Sequence, residues 1–174
     1  MGKHITPTDI EVFFDKRDLI VSKTDVKGKI TYANRTFCEV AGYDESELLG
    51  QPHNIIRHPD MPRAVFKLLW DVILDGREVF AYVKNLAKSG AYYWVFAHVT
   101  PSFDRSGRIV AFHSSRRVPD RTILDQAIIP LYAAVLQEER RHRNGQAELA
   151  AGYAMIADHL KSKNMTYDEF IFSL

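Results

Sequence analysis

Apolar and polar residues alternate along several short stretches of this chain that are rich in β-branched and aromatic residues. Such alternation is typical of strands that pack one face on a core. The predicted strands are residues 19–24, 30–33, 79–86, 92–100 and 109–118. Glycine-containing turns join the first two strands and the last three, so the pattern predicts hairpins within one antiparallel sheet.

Helical spacing of apolar residues is found between the second and third strands. Asn34 and Asp44 are suited to cap two short helices, because their side chains can accept from free backbone N–H groups. Pro62 suits the first turn of a longer helix that ends at Asp75-Gly76. A sheet with short helices on one face is an α+β arrangement, and we predict that fold class.

The last third of the chain is helical in pattern. An apolar stripe, interrupted by Pro130, precedes a highly charged stretch at 138–143, whose basic string 140–143 we interpret as a solvated helix end rather than a phosphate contact. A second helix is predicted over 146–161. We therefore expect an α+β domain over residues 8–119 and a C-terminal helical extension over 120–174.

Composition narrows the class of protein. The 174 residues are 46% hydrophobic and 26% charged, which favours a globular core over disorder. A net charge of +1 lacks the basic excess of a nucleic-acid binder. The single Cys38 excludes an intramolecular disulfide. No apolar run is long enough to span a membrane and no secretion signal is found, so we expect a soluble, cytoplasmic protein.

The string Arg57-His58-Pro59-Asp60 carries the most concentrated chemistry in the chain. Its prolines fix the backbone, and its side chains can form a polar rim over a cleft. Arg57 can donate two hydrogen bonds to a phosphate or a ring carbonyl, His58 can hydrogen-bond or stack, and Asp60 can orient either. The alternative is a solvated loop in which Asp60 only caps the following helix.

Two amides and three aromatic residues are further candidates. Asn34 and Asn85 offer both donors and acceptors, which suits the edge of a heteroaromatic ring, although Asn34 equally suits a helix cap. Phe66 and Trp70 share one helix face, and Tyr93 lies on one face of its strand. These aromatic side chains can line a ligand cleft or belong to an ordinary core.

The chain resembles sensory PAS domains in its order of elements and in the stretch TDVKGKITYANRTFCEVAGYDESELLGQPH. The stretches QPHNIIRHPDMPRAVFKLLW and KNLAKSGAYYWV are more specific, and they resemble the PAS domains of bacterial aerotaxis receptors. The resemblance covers about residues 8–132. It implies a PAS fold with a five-stranded antiparallel sheet, and a redox or oxygen sensor that binds FAD noncovalently.

The same resemblance implies how such a sensor signals and which residues hold its cofactor. The chain is similar to the sensors of split energy-taxis systems, in which a soluble PAS protein partners a separate transmembrane chemoreceptor or its signalling domain. Phe66 joins the expected site as an aromatic residue aimed into the cleft. The residues on which the resemblance places the flavin are Arg57, His58, Asp60, Asn34, Asn85, Trp70 and Tyr93.

The other face of the fourth predicted strand is also apolar, with Trp94, Phe96 and His98 in alternate positions. An exposed apolar sheet face usually meets a terminal helix, a second subunit or a partner. The candidates are a homodimer through this outer sheet face and a cover formed by the N-terminal stretch with Ile10, Phe13 and Phe14, and the sequence leaves open whether the tail beyond Gly145 docks on the sensory domain or on another protein.

Two alternative functions stay open on the sequence. Some PAS domains bind haem b, for which His58, His98 or His113 would be the axial ligand. The other alternative is a cofactor-free interaction module whose cleft is filled by side chains. No nucleophile–base pair and no Walker A or dinucleotide-binding motif is present, so we do not expect an enzyme, and no metal site is indicated.

Overall fold

The computed structural model describes residues 5–174. Its centre is a five-stranded antiparallel sheet in the order β2-β1-β5-β4-β3. The strands are β1 (Ile20–Asp25), β2 (Ile30–Ala33), β3 (Val79–Leu86), β4 (Tyr92–Phe103) and β5 (Ile109–Arg117). The predicted strands and the α+β class are therefore confirmed, with β4 extending three residues beyond its expected end.

Helices lie before the third strand and after the fifth. A short 3₁₀ turn, His53–Ile56, precedes the longest helix of the first group. The helices are α1 (Arg35–Ala41), α2 (Glu45–Leu48), α3 (Arg63–Leu74), α4 (Arg121–Ile123), α5 (Ile129–Arg140), α6 (Gly145–Ser162) and α7 (Tyr167–Ser173). A π turn, Leu124–Ile128, joins α4 to α5.

Pro130 does not end the C-terminal helical stretch, although it interrupts the apolar stripe in the sequence. Proline has no N–H and disturbs the hydrogen bonds of the preceding turn. The backbone accommodates it by widening into the π turn, where the N–H of Ile129 donates to the carbonyl of Leu124, five residues earlier. The stretch therefore continues as α5 towards its charged end.

The outer face of the sheet is covered at Trp94 by the C-terminal helices. The Trp94 ring lies 6.3 Å from that of Tyr132 on α5, and Phe80 on β3 lies 4.8 Å from Phe172 on α7. The expectation of an N-terminal cover is wrong at Ile10 and Phe13, which are 65% and 75% exposed, whereas Phe14 of the same stretch is half-buried and packs against the core. Their segment instead pairs by backbone hydrogen bonds with the start of β4.

The inner face of the sheet carries the core and leaves a cavity beneath α3. Along β3, β4 and β5 the inward positions alternate with outward ones, so Ala81, Val83, Ala97 and Phe112 all point to this side. Within residues 5–174, none of the helices is long and apolar enough to cross a membrane.

Candidate functional site

A cavity of about 340 Å³ lies between the inner face of the sheet, helix α3 and the 3₁₀ turn. Its size falls within the range of about 300–1,000 Å³ that small-molecule sites occupy. Most of the wall is apolar, and the sheet contributes small side chains, Ala81 and Ala97, opposite α3. The cavity therefore offers a slot with room for a planar ligand.

Aromatic residues form one side of the slot. Trp70 and Phe66 on α3 both line it, and Trp70 is 36% exposed at the rim. The Trp70 ring meets Phe112 edge to face at 5.5 Å. Gly28, in the β1–β2 turn with φ +77°, approaches the same ring so closely that a Cβ there would lie 3.4 Å from it. The turn and Trp70 thus pack together at the cavity mouth.

Arg57 and Asn85 bring polar groups to the cavity from adjoining backbones. Both side chains line it, and their backbones form an isolated antiparallel bridge. The Arg57 guanidinium lies 4.3 Å from the centre of the Phe66 ring, which holds it in place. Burial, with the nearby charge of Arg63, lowers the pKa of Arg57, and it stays a cation at neutral pH.

His58 does not line the cavity. It is 2% exposed, and its Nδ1 accepts from the backbone N–H of Asp60 at 3.1 Å. Burial and the charge of Lys84 lower the pKa of His58 to about 4. The imidazole is therefore neutral at pH 7 and carries its proton on Nε2, which has no partner among the described residues. It orders the loop behind the cavity wall.

Asp60 lies on the outer side of the same loop, away from the cavity. Its carboxylate pairs with Lys84 at 3.2 Å and with Arg140 of α5 at 3.4 Å. Burial alone would raise the pKa of Asp60, but the hydrogen bond and charge of Lys84 hold it below its ordinary value. The four-residue motif thus spans from the cavity, at Arg57, to the C-terminal extension, at Asp60.

The structure does not bring Tyr93 or Asn34 to the cavity either. Tyr93 points to the inner face but is fully buried beside it, and its hydroxyl has no partner within residues 5–174. Asn34 caps α1: its Oδ1 accepts from the N–H groups of Val21 and Phe37, and its Nδ2 donates to Leu19. All its hydrogen bonds serve the backbone, which is the structural role that the sequence left open.

Arg116 is a cavity residue that the sequence analysis did not identify. It is 2% exposed and lines the cavity from β5. Its Nη2 donates to the hydroxyl of Ser22, and its guanidinium lies 4.4 Å from the Phe37 ring centre. Strand alternation gives the signal that was available, since Arg116 shares its face with the cavity residues Phe112 and Ser114.

His53 is the second polar residue that the sequence analysis missed. It lines the cavity, and its Nε2 lies 3.2 Å from Ser22 Oγ. Burial, with the charge of Arg116, lowers the pKa of His53 to about 3, so the ring is neutral. Since Arg116 donates to Ser22, the serine proton is free to be donated to His53. A chain of three polar side chains therefore borders the cavity.

The histidines proposed as haem ligands lie elsewhere. His98 is on the outer face, 2.7 Å from Glu78, and His113 occupies an outward position on β5. His58 is behind the wall, as described above. The cavity thus combines an apolar slot, an aromatic rim and hydrogen-bond donors from Arg57, Asn85 and Arg116. Such a site can hold a planar heteroaromatic ligand and bind acceptor atoms along its edge.

Comparisons with known proteins agree with this architecture. The family model described as PAS fold matches residues 30–116. The chain is 44% identical over 117 residues to the aerotaxis receptor of Escherichia coli (strain K12), covering 67% of this chain and 22% of the receptor. It is 26% identical over 141 residues to the nitrogen fixation regulatory protein of Klebsiella pneumoniae, covering 73% of this chain and 28% of that protein.

Solved structures show the same fold. The dark structure of the blue-light photoreceptor Aureochrome1 LOV has a TM-score of 0.57 at 23% identity, covering 64% of this chain and 83% of that one. A PAS domain from Colwellia psychrerythraea has a TM-score of 0.52 at 19% identity, covering 57% and 86%. The chain spans under a third of the two curated relatives. It belongs to the PAS family, and within it is similar to the aerotaxis receptor.

Proposed function

We propose that the chain is a flavin-binding redox or oxygen sensor, with FAD as its cofactor, and that it acts in energy taxis by a conformational signal to a partner. The observation that carries this proposal is the apolar slot with buried donors, above all the donors of Arg116 that have no partner among residues 5–174. The similarity to the aerotaxis receptor supports the sensory role. Signalling rather than turnover is the activity we assign.

The residues present fit an isoalloxazine ring. Such a ring needs a narrow apolar slot for its faces and both donors and acceptors for its edge. The cavity supplies Trp70, Phe66, Val83 and Ala97 for the faces, and the amide of Asn85 for the edge. When bound, a flavin supplies a redox centre whose charge and protonation differ between its oxidised and reduced forms.

The eight residues named from the sequence then divide by role. We propose that Arg57, Asn85, Trp70 and Phe66 contact the cofactor, because all four line the cavity. His58 and Asp60 position the loop that carries Arg57, and Asn34 and Tyr93 belong to the supporting structure. A ligand shifts a conformational equilibrium only through contacts that differ between two states. The donors of Asn85 and Arg57 are placed to make such contacts.

Helix α3 links the cavity to the C-terminal extension. One face of α3 lines the cavity, and its N-terminus is capped from α5: the buried Glu139 carboxylate accepts from the N–H groups of Arg63 at 3.0 Å and Ala64 at 2.8 Å. Negative charge at a helix N-terminus is stabilising. A movement of α3 in response to the cofactor would therefore move α5 with it.

Two ion pairs also connect α3 and the loop before it to the C-terminal helices. Arg63 on α3 pairs with Glu148 on α6 at 3.0 Å, and Asp60 pairs with Arg140 on α5. We propose that residues 120–174 form the signalling part and residues 8–119 the sensor part. The partner would be a separate transmembrane chemoreceptor or its signalling domain, as in the split energy-taxis systems that the sequence resembles.

The first test is an absorption spectrum of the gently purified chain, followed by heat release and chromatography of any chromophore. We expect the two broad bands of a flavin and released FAD. A sharp Soret band would replace the flavin with haem. A colourless chain that binds neither offered FAD nor offered haem would contradict the proposal and favour a cofactor-free interaction module, although the cavity is not filled by side chains.

Variants test the assignment of the site. Replacing Arg57→Gln or Asn85→Ala should weaken FAD binding at least tenfold in a titration and leave the circular dichroism spectrum unchanged. Arg35→Gln is a matched control, because Arg35 is exposed on α1 and does not line the cavity. Unchanged affinity in both site variants would remove these residues from the proposed contacts.

A further inference from the structure

The buried Arg116 guanidinium lacks the partners that a cation needs inside a protein. Its Nε and Nη1 atoms have no hydrogen-bond partner in the described part of the chain. It forms no ion pair with any carboxylate of residues 5–174. One hydrogen bond to Ser22 and one contact with the Phe37 ring do not replace the water lost around a guanidinium. The fold leaves this charge unsatisfied.

The surroundings of Arg116 keep its charge in place and supply no anion. Burial lowers its pKa to about 10, which still leaves it a cation at neutral pH. The neighbouring His53 is neutral, and the hydroxyl of Tyr93 is buried, with its pKa raised by that burial. A buried cation next to a cavity, among neutral groups, favours a ligand group that carries negative charge or accepts strongly.

We propose that Arg116 recognises the acceptor edge of the bound flavin and favours the reduced, negatively charged ring over the oxidised, neutral one. This inference rests on the proposed function. Reduction by two electrons with uptake of one proton leaves one negative charge on the ring, shared between a nitrogen and the adjacent carbonyl oxygen. A planar guanidinium fork matches two such neighbouring acceptors. Arg116 thus raises the reduction potential, which sets when the sensor responds.

The experiment compares Arg116→Gln with Arg117→Gln, which removes the same charge from the next residue of β5. Arg117 is exposed and occupies the opposite face of the strand. FAD affinity and the two-electron reduction potential are measured for both variants and for the wild type, with dithionite as the reductant. We expect Arg116→Gln to weaken binding of reduced FAD at least tenfold more than binding of oxidised FAD.

That tenfold difference corresponds to a fall of about 30 mV in the potential of a two-electron couple. Arg117→Gln should keep the wild-type potential, and Arg116→Lys, which retains the charge, should keep most of it. An equal loss of affinity in both redox states would overturn the inference, because it would place Arg116 against a phosphate or another part of the cofactor whose charge does not change.

A measurement on the wild type tests the inference even if Arg116→Gln does not fold. The spectrum of the fully reduced protein is recorded against pH, since anionic and neutral reduced flavins absorb differently. We expect the anionic spectrum to persist to lower pH than in free reduced FAD. A neutral spectrum at pH 7 would overturn the role of Arg116 and leave the flavin proposal intact. A chain that binds no flavin would overturn both.

Discussion

Helix α3 separates two buried charges whose environments are opposite. On the side of the extension, the Glu139 carboxylate is 3% exposed and accepts from two backbone N–H groups. On the side of the cavity, the Arg116 guanidinium is 2% exposed and has donors without partners in the described structure. A buried charge with its hydrogen bonds made belongs to the fold, whereas one whose donors have no protein partner is available to bind a ligand, an ion or water.

Glu139 and Arg116, which lie on two sides of α3, therefore serve different purposes: Glu139 stabilises the fold, and Arg116 is placed for binding. Glu139 closes the α3 N-terminus, which has Pro62 at the cap position and no capping side chain of its own. Arg116 costs free energy in the ligand-free chain and recovers it only when an acceptor enters the cavity. Removing the two charges should therefore change the free energy of unfolding in opposite directions.

The largest effect is expected at Glu139. Glu139→Ala leaves the N–H groups of Arg63 and Ala64 without acceptors in a buried place, and it should lower the free energy of unfolding by about 3 kcal/mol. Glu139→Gln keeps one acceptor and should lose about half as much. Urea unfolding of the flavin-free chain, followed by circular dichroism, measures both.

Glu138→Ala is the matched control, because Glu138 is its neighbour and, among the described residues, pairs with Arg141 and His142 near the surface. A surface pair of this kind contributes about 0.5 kcal/mol or less. Equal losses at 138 and 139 would show that Glu139 does not cap α3, and the proposed route from the cavity to α5 would lose its main contact.

A second effect concerns acid. The pKa of His53 is about 3 in the folded chain, because of burial and then the charge of Arg116, against about 6.5 when unfolded. Below pH 6.5 the unfolded state binds a proton that the folded state refuses. The free energy of unfolding therefore carries no penalty from His53 above pH 6.5. As the pH drops from 6.5 towards 3, His53 lowers that free energy by about 1.4 kcal/mol per pH unit.

Unfolding of the flavin-free chain at pH 7 and pH 5 tests this. Between pH 7 and pH 5, the free energy of unfolding of His53→Gln should fall by about 2 kcal/mol less than that of the wild type. The fall that remains in the variant includes the contribution of His58, whose pKa is also lowered. Parallel profiles for wild type and His53→Gln would show that His53 is not held neutral beside the cavity.

The third effect has the opposite sign. Arg116→Met removes a buried cation and keeps apolar bulk, so it should raise the free energy of unfolding of the flavin-free chain by about 1 kcal/mol. The lost contact with Phe37 reduces the gain. Arg117→Met, on the exposed side, should change nothing measurable. A loss of stability at 116 would mean that Arg116 belongs to the fold as Glu139 does.

Local patterns predicted most of the fold, and four of the eight site residues named from the sequence line the cavity. Strand alternation, the Asn34 cap and Pro62 at the start of α3 each depend on a few neighbouring residues, and the structure contains all three. The resemblance named Arg57 and Asn85, which line the cavity. Arg116 was missed although alternation places it on the inner face, because an arginine was not expected inside the sheet.

Local sequence patterns do not predict contacts between residues that are far apart in the chain. The basic string 140–143 was interpreted as a solvated helix end, and that interpretation does not extend to the preceding Glu139, which is buried against backbone 75 residues away in sequence. The C-terminal extension packs against the outer sheet face at Trp94 and Phe80, and the sequence left open whether a terminal helix, an N-terminal segment or a second subunit would lie there. The residues next to Glu139 in sequence do not predict that its carboxylate accepts from the N–H groups of Arg63 and Ala64.

The smallest effect tests how closely α6 must approach this carboxylate. A Cβ at Gly152 would lie 2.6 Å from Glu139 Oε1 and 2.7 Å from its Cγ, and both atoms are held by the bonds to α3. Gly152→Ala gains up to about 1 kcal/mol in helix propensity but costs about 1–3 kcal/mol in overpacking. We expect a net loss of about 1 kcal/mol.

Gly145→Ala provides the comparison, because its Cβ would meet Arg63 Nη1 at 2.8 Å, at the end of a flexible side chain that can move aside. That variant should stay within about 0.5 kcal/mol of the wild type, as substitutions outside tightly packed places do. In the double variant Gly152→Ala/Glu139→Ala the two shortest contacts are gone and only Ala64 Cβ, at 3.1 Å, stays close to the added methyl group, so most of the penalty at 152 should disappear. An undiminished penalty would place the clash on Ala64 rather than on the Glu139 carboxylate.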